Sequence, residues 1–196
     1  MTTIVGVSGL RGSFSEEAGV QYAKKVNIDP SFTYLLDMEG VLSAIEKREI
    51  EFGILPVVNL QGGLLKPAFE AMGKHLFTVI DELWLEVNQC LLALPGTELA
   101  HITGIASHPQ ALAQCRAYIT RMDTDAECIE WCDTAKAASD LADGGLSSTT
   151  AVIAPQRCAS IYGLEILAKN IQDSHPNLTA FIIVKNAQTS FHNPWV

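Results

Sequence analysis

The sequence predicts an α/β protein with a largely parallel sheet, and three observations carry that prediction. Short apolar runs alternate with stretches of helical period, several times over. The alternation breaks once, near the middle, where two extended runs follow each other with no helix between them. The 196 residues are 48% hydrophobic and 18% charged, enough to bury a core in one compact domain or two small lobes.

The elements follow in order. Thr2–Gly9 reads as a strand, and Ser13–Val26 as a helix whose Ser13 and Glu16 have the spacing of a capping box. Phe32–Asp37 reads as a strand, Met38–Ile50 as a helix and Glu51–Val58 as a strand. Leu76–Gly96 is the long partly alternating stretch, and a lobe boundary is expected near residues 77 to 94. Alternation then resumes. Ile102–Ser107, Glu127–Cys132 and Thr150–Ala154 are predicted strands; His108–Met122, Thr134–Gly145 and Pro155–Gly163 are predicted helices. Two last strands come from Leu164–Ile171 and Thr179–Val184, the final one late enough to return to the first lobe. The polar tail, with Phe191 and Trp195, is expected to pack loosely or to contact a partner.

Composition excludes several function classes. The net charge is -9 and the basic residues are scattered, so there is no basic stripe for nucleic acid. An acidic exterior still allows an anionic ligand, because a few cations and helix N-termini can be focused in a cleft. No basic segment followed by a long apolar run opens the chain, and no window reaches the roughly 18 apolar residues of a membrane span. The expectation is a soluble cytoplasmic protein. Cys90, Cys115, Cys128, Cys132 and Cys158 are an odd number in apolar segments, which suits reduced thiols packed as small hydrophobes. Cys128 and Cys132 lack the further ligands of a zinc site, so no metal is expected.

Five segments place polar groups where predicted strands end. In Gly9–Gly19, Arg11, Ser13 and Ser15 flank a helix start; this is either an ordinary strand-to-helix turn or an anion site. Ser107 and Gln110 have capping-box spacing around His108 and Pro109, and would otherwise stand at the edge of a ligand cleft. Asn59 and Gln61 close an apolar strand before two glycines, a turn or a site. Asp133 or Thr134 serves as a helix cap, and Thr179 is explained equally by strand propensity. Each has a structural reading by itself. Together they recur in one kind of place.

In order and spacing these segments resemble the catalytic domain of the prephenate dehydratase family over nearly the whole chain. Gly9–Ala18 looks like the family's Gly-Pro-x-Gly-Thr-Phe-Ser opening, and Phe52–Gly63 like its Gly-x-x-Pro-x-Glu-Asn-Ser-x-x-Gly segment. Ser107–Leu112 is its Ser-His-Pro-Gln-Ala-Leu motif unchanged, and Asn177–Phe181 stands where the family has Asn-x-Thr-Arg-Phe. The resemblance implies two α/β lobes around a cleft, like the type 2 periplasmic binding proteins, with residues 1–78 and 170–196 in one lobe and 79–169 in the other. It implies decarboxylative dehydration of prephenate to phenylpyruvate in phenylalanine biosynthesis, with no cofactor. Thr179 is then the group that helps the 4-hydroxyl leave, and Arg11, Ser13, Asn59, Ser107, Gln110, Thr134 and Phe181 bind substrate. A prephenate-like dicarboxylate is the implied ligand and a homodimer the implied assembly. The phenylalanine-sensing ACT domain that usually follows in the family is not part of this chain, so feedback through it is not expected here.

Four positions depart from the motifs: Leu10 for Pro, Val58 for Glu, Leu60 for Ser and Ala180 for Arg. Losing an Arg from a dianion site removes charge-assisted hydrogen bonds worth roughly 1.5 to 3 kcal/mol each. Arg11 is the expected compensating cation, with Lys185 second. Two alternatives stand beside the dehydratase, a non-aromatising prephenate decarboxylase and a catalytically silent binder of a prephenate-like acid.

Overall fold

The structure, a computed structural model, describes residues 2–122 and 125–187; Phe191 and Trp195 lie outside them. Strand β1 (Thr3–Ser8) is followed by α1 (Phe14–Val26), β2 (Pro30–Leu35), α2 (Met38–Glu46), β3 (Phe52–Asn59), the two-residue β4 (Gly63–Leu64) and α3 (Lys66–Met72). Two long strands come next, β5 (Phe77–Glu86) and β6 (Gln89–Ala93). A second alternating unit runs through β7 (Gly104–Ser107), α4 (Pro109–Gln114), α5 (Arg116–Arg121), β8 (Glu127–Glu130), α6 (Thr134–Ala142), β9 (Thr150–Pro155) and α7 (Arg157–Tyr162). Strands β10 (Glu165–Lys169) and β11 (Leu178–Asn186) close the described chain.

These strands form two sheets, ordered β2-β1-β3-β11-β5, with β4 on β3, and β10-β6-β9-β7-β8. Each sheet is parallel on one side, β2-β1-β3 in one and β8-β7-β9 in the other. The largely parallel expectation holds for those sides. The remaining strands pair antiparallel, because they carry the chain between sheets rather than returning over a helix. Strand β5 pairs along its length with β11 in the first sheet. The chain therefore leaves that sheet after Glu86, later than the division at residue 78.

Three further differences have local causes. The helix expected over 108–122 is two helices, interrupted at Cys115, whose φ of -115° and ψ of 16° end the first. Helix α2 stops at Lys47, and Arg48 at φ 61° turns the chain into β3. Helix α3, with Pro67 in its first turn, lies where no element is predicted.

Helices cover both faces of each sheet. On the first sheet, Ala18 and Tyr22 of α1 meet Val5, Val7, Ile54 and Phe181, while α2 and Ala71 of α3 close the other face around Leu55 and Val184. On the second, α6 and α7 pack on Val152 and Ala154, and α4 packs on Ile105 and Ile153. Each such Leu, Ile or Phe contributes about 1.5–3 kcal/mol on burial. Cys90, Cys115 and Cys158 are buried free thiols as expected, but Cys128, on the edge strand β8, and Cys132, in the turn after it, are exposed.

Candidate functional site

A cleft of about 330 Å³ lies between the two sheets. Its walls come from the ends of β1 and β3, the N-termini of α1 and α6, one side of α4, and the strands β6 and β11 that link the sheets. Ligands in open α/β sheets bind at such strand ends.

The loop after β1 is shaped by Gly9 and Gly12, with φ of 89° and 93°, which only glycine adopts without strain. A Cβ on Gly9 would stand 2.8 Å from Asp133 Oδ2, so the loop approaches the second sheet closely. Ser13 caps α1, its hydroxyl accepting from Glu16 N at 3.3 Å, and it lines the cleft. The Glu16 carboxylate reaches back one residue further than a capping box requires, to Gly12 N. It also takes a 3.0 Å hydrogen bond from Tyr34 Oη and lies 3.4 Å from Arg157 Nη2. Asp133, not Thr134, caps α6 by accepting from Lys136 N at 2.8 Å; both line the cleft. Burial pushes the Asp133 carboxyl up, and the N–H groups of Lys136, Leu10 and Ala135 pull it back. Burial likewise pushes His108 down, against the nearby Asp133 and Glu130.

The floor of the cleft is a chain of amides around Thr179. Asn59 Nδ2 donates to Thr179 Oγ1 at 2.9 Å and to Asn177 Oδ1 at 2.8 Å. Asn59 Oδ1 accepts from the backbone of Gln61 and Gly62 and from Gln114 Nε2 at 3.2 Å. Gln114 Oε1 accepts from Asn177 Nδ2 at 3.1 Å and from Gln89 Nε2 at 3.4 Å. Asn59, Thr179, Asn177 and Gln89 are all buried. Such a network holds each side chain in one orientation. With Asn59 donating to it, the Thr179 hydroxyl keeps its own proton for another acceptor.

Six of the predicted site residues, Ser13, Asn59, Gln110, Thr134, Thr179 and Phe181, line this cleft. Two do not. Ser107 is fully buried and donates to Ile153 O at 2.6 Å, so its hydroxyl serves the sheet; the cap of α4 is His108, whose Nδ1 accepts from Gln110 N. Arg11 is exposed, on a loop held where Tyr162 Oη donates to Arg11 O at 2.6 Å, and neither it nor Lys185 lines the cleft. Among the described residues no Lys or Arg lines it at all, whereas Asp37 and Asp133 do. No group of His, Cys, Asp or Glu among the described residues is arranged to hold a metal ion.

The motif departures also lie outside the lining. Ala180 pairs directly with Val58 on one side and Trp84 on the other, and Val58 pairs with Leu64. Residues opposite each other share a face. The positions of the motif Glu and Arg are thus neighbours in an apolar row, beside Asn59 and Thr179 in sequence. Sequence reasoning missed Gln89, Gln114, Asp37 and Asp133 as cleft groups, and Asn177 as the amide that braces Asn59 and Gln114. Asn177 carried a signal, since it sits two residues before Thr179 and so on the same face of the chain.

The family model of prephenate dehydratase matches residues 5–189. Arogenate dehydratase 1 of Petunia hybrida is 36% identical over 183 residues, covering 93% of this chain and 42% of that protein. The chain spans less than half the length of the curated relatives it matches. Among solved structures, a prephenate dehydratase from Arthrobacter aurescens in complex with L-Phe superposes with a TM-score of 0.82 at 24% identity, over 94% of this chain and 60% of that one. GqqA, described as a novel type of quorum quenching acylase, superposes at 0.78 with 26% identity, over 94% and 64%.

Proposed function

The chain belongs to the prephenate dehydratase family, and from that membership we propose that it catalyses the decarboxylative dehydration of a prephenate-type cyclohexadienol in phenylalanine biosynthesis. The observation that carries this reading is the hydrogen bond from Asn59 Nδ2 to Thr179 Oγ1. A hydroxyl that already accepts a bond is turned to donate, and Thr179 lines the cleft. In the reaction the ring carboxylate leaves as carbon dioxide and its bonding pair enters the ring. The 4-hydroxyl departs with the C–O pair and takes a proton relayed through Thr179, leaving as water. One solvent proton is consumed, which restores the Thr179 hydroxyl. The ring becomes aromatic, which drives the step without a cofactor or covalent nucleophile. Positioning and hydrogen bonding of the leaving group are then what the protein supplies. The two sheets act as lobes closing on the acid, and the family resemblance supports a homodimer.

A second reading concerns the acid itself. Asp37 and Asp133 line the cleft and, among its described residues, Lys and Arg do not. A carboxylate 4 Å from another costs about 4 kcal/mol at an effective dielectric near 20. Arogenate carries an ammonium where prephenate carries a keto group, so its net charge is one unit less negative and it offers Asp37 or Asp133 a partner. The cleft therefore favours the amino acid over the keto acid. Acyl hydrolysis, the activity described for GqqA, is not supported. Among the described residues no cleft hydroxyl or thiol hydrogen-bonds to a histidine, and His108 Nδ1 is committed to Gln110 N.

Incubating the protein with each acid and identifying products by mass and absorbance tests this. Phenylalanine from arogenate, or phenylpyruvate from prephenate, is the expected result. A non-aromatic dihydro product would replace the dehydratase with a decarboxylase, and binding without turnover would replace it with a silent binder. No helix among the described residues is long and apolar enough to cross a membrane.

A further inference from the structure

One group in the cleft is left with nothing to do. Gln89 begins β6, is 2% exposed and lines the same cleft as Thr179, and its Oε1 is a buried acceptor without a hydrogen-bond partner among the described residues. Buried side-chain acceptors nearly always have a partner.

The amide could in principle be turned over, exchanging oxygen for nitrogen, and its neighbours decide against that. The backbone N–H groups of Gln61 and Gly62 can only donate, and both point at Asn59 Oδ1. Asn59 must then present Nδ2 to Thr179 and Asn177, and Gln114 must present Nε2 to Asn59 Oδ1. Independently, Val87 O can only accept, which fixes Asn177 Nδ2 toward it and toward Gln114 Oε1. Gln114 therefore offers Gln89 an oxygen. Gln89 answers it with Nε2 at 3.4 Å, and Gln89 Oε1 is the atom left open. Two backbone donors and one backbone acceptor fix the orientation of the whole network.

We propose that Gln89 Oε1 accepts a hydrogen bond from the substrate and is a specificity-determining residue of this site. The inference rests on the dehydratase reading of the cleft. Prephenate offers one hydrogen-bond donor that survives at neutral pH, its 4-hydroxyl; arogenate offers the same hydroxyl and an ammonium. A neutral acceptor held by Gln114 selects for such a donor end without adding charge to a cleft that already carries Asp37 and Asp133. A site built to pair a donor discriminates strongly against a ligand lacking it, because the buried acceptor is then stranded.

The test compares wild type, Gln89→Met and Gln89→Glu in the full chain, with kcat and KM measured on both acids and binding measured by calorimetry. Met removes the acceptor and the donor to Gln114; Glu keeps an acceptor and removes the donor. Gln89→Met should lower kcat/KM by about tenfold or more, and Gln89→Glu should stay within about threefold of wild type on arogenate. A loss by Gln89→Met on both acids assigns the 4-hydroxyl as the donor, and a loss on arogenate alone assigns the ammonium. Equal losses in the two variants would show that Gln89 only holds Gln114, and wild-type constants for Gln89→Met would show that the oxygen meets water alone; either overturns the inference. Those results leave the dehydratase reading intact, whereas a wild type that neither binds nor converts either acid would remove both. Unfolding temperatures within a few degrees of wild type certify the variants as folded.

Discussion

Thr179 is held in place by what surrounds it. Asn59 holds its oxygen, Asn59 is held by the Gln61 and Gly62 amides, and the bond from Asn59 to Asn177 survives if the threonine is changed. Thr179→Val, which keeps the shape and removes the hydroxyl, should therefore lower kcat by about a hundredfold or more with a much smaller change in KM. The unfolding temperature should move only a few degrees, and Thr179→Ser should recover part of the rate. A valine variant with wild-type kcat would end Thr179's assignment as the proton relay. Thr179 and Asn59 were legible in the sequence because each is a short polar group at the end of an apolar strand, within a segment that resembles a family motif. Gln89 and Gln114 were not, since what marks them is the orientation of their amides, and that is set by partners 25 and 55 residues away in the chain.

At the scale of elements, β3 and β11 carry Asn59 and Thr179 together with two of the motif departures, Val58 and Ala180. Their register places Val58 opposite Ala180, and Ala180 is 5% exposed, so the two apolar residues replace what would have been a charged pair at adjacent positions. Ala180→Arg alone should destabilise by about 3 kcal/mol, from a charge placed in a mostly buried position without its partner. Val58→Glu with Ala180→Arg should recover about 1 kcal/mol or more relative to the sum of the single changes. Denaturant midpoints of the four proteins decide it; strict additivity would deny that the two positions are coupled. A second element contact is titratable. His75, just after α3, has Nδ1 2.8 Å from Glu46 and Nε2 2.8 Å from Glu39, both on α2, and these hydrogen bonds hold its ring above the usual histidine range. Because the folded value lies above the unfolded one of about 6.5, the stabilisation is fully present below that pH and fades as pH rises through the folded value. The gap in unfolding temperature between wild type and His75→Gln should thus be larger at about pH 6 than at about pH 9. A gap that widens with pH would contradict the clasp. Most elements were legible from period alone. The exceptions are local: α3 is short and has a proline in its first turn, and the backbone of Cys115 ends one helix where the next begins.

Across the whole molecule, the sequence announced two alternating units and a break, but not how the break is used. Long strands with no helix between them could have extended one sheet; instead β5 stays with β11, β6 joins β9, and both sheets contribute residues to the cleft. Nothing in a one-dimensional pattern fixes which strand a crossing segment will pair with, and that pairing also decides which loops reach the site. Arg11 was expected there to offset the missing motif arginine, and the loop fold leaves it exposed. The consequence is electrostatic. A protein of net charge -9, with Asp37 and Asp133 and no described Lys or Arg in its cleft, repels an approaching anion at long range and gains no local cation to reverse that. Screening should then help binding rather than hinder it. Raising sodium chloride from about 20 to 200 mM shortens the Debye length from roughly 20 to 7 Å, so KM for the dianion prephenate should fall, and fall by more than KM for arogenate. The opposite trend, KM rising with salt on prephenate, would mean that a cation reaches the bound acid after all and would return Arg11 to the site.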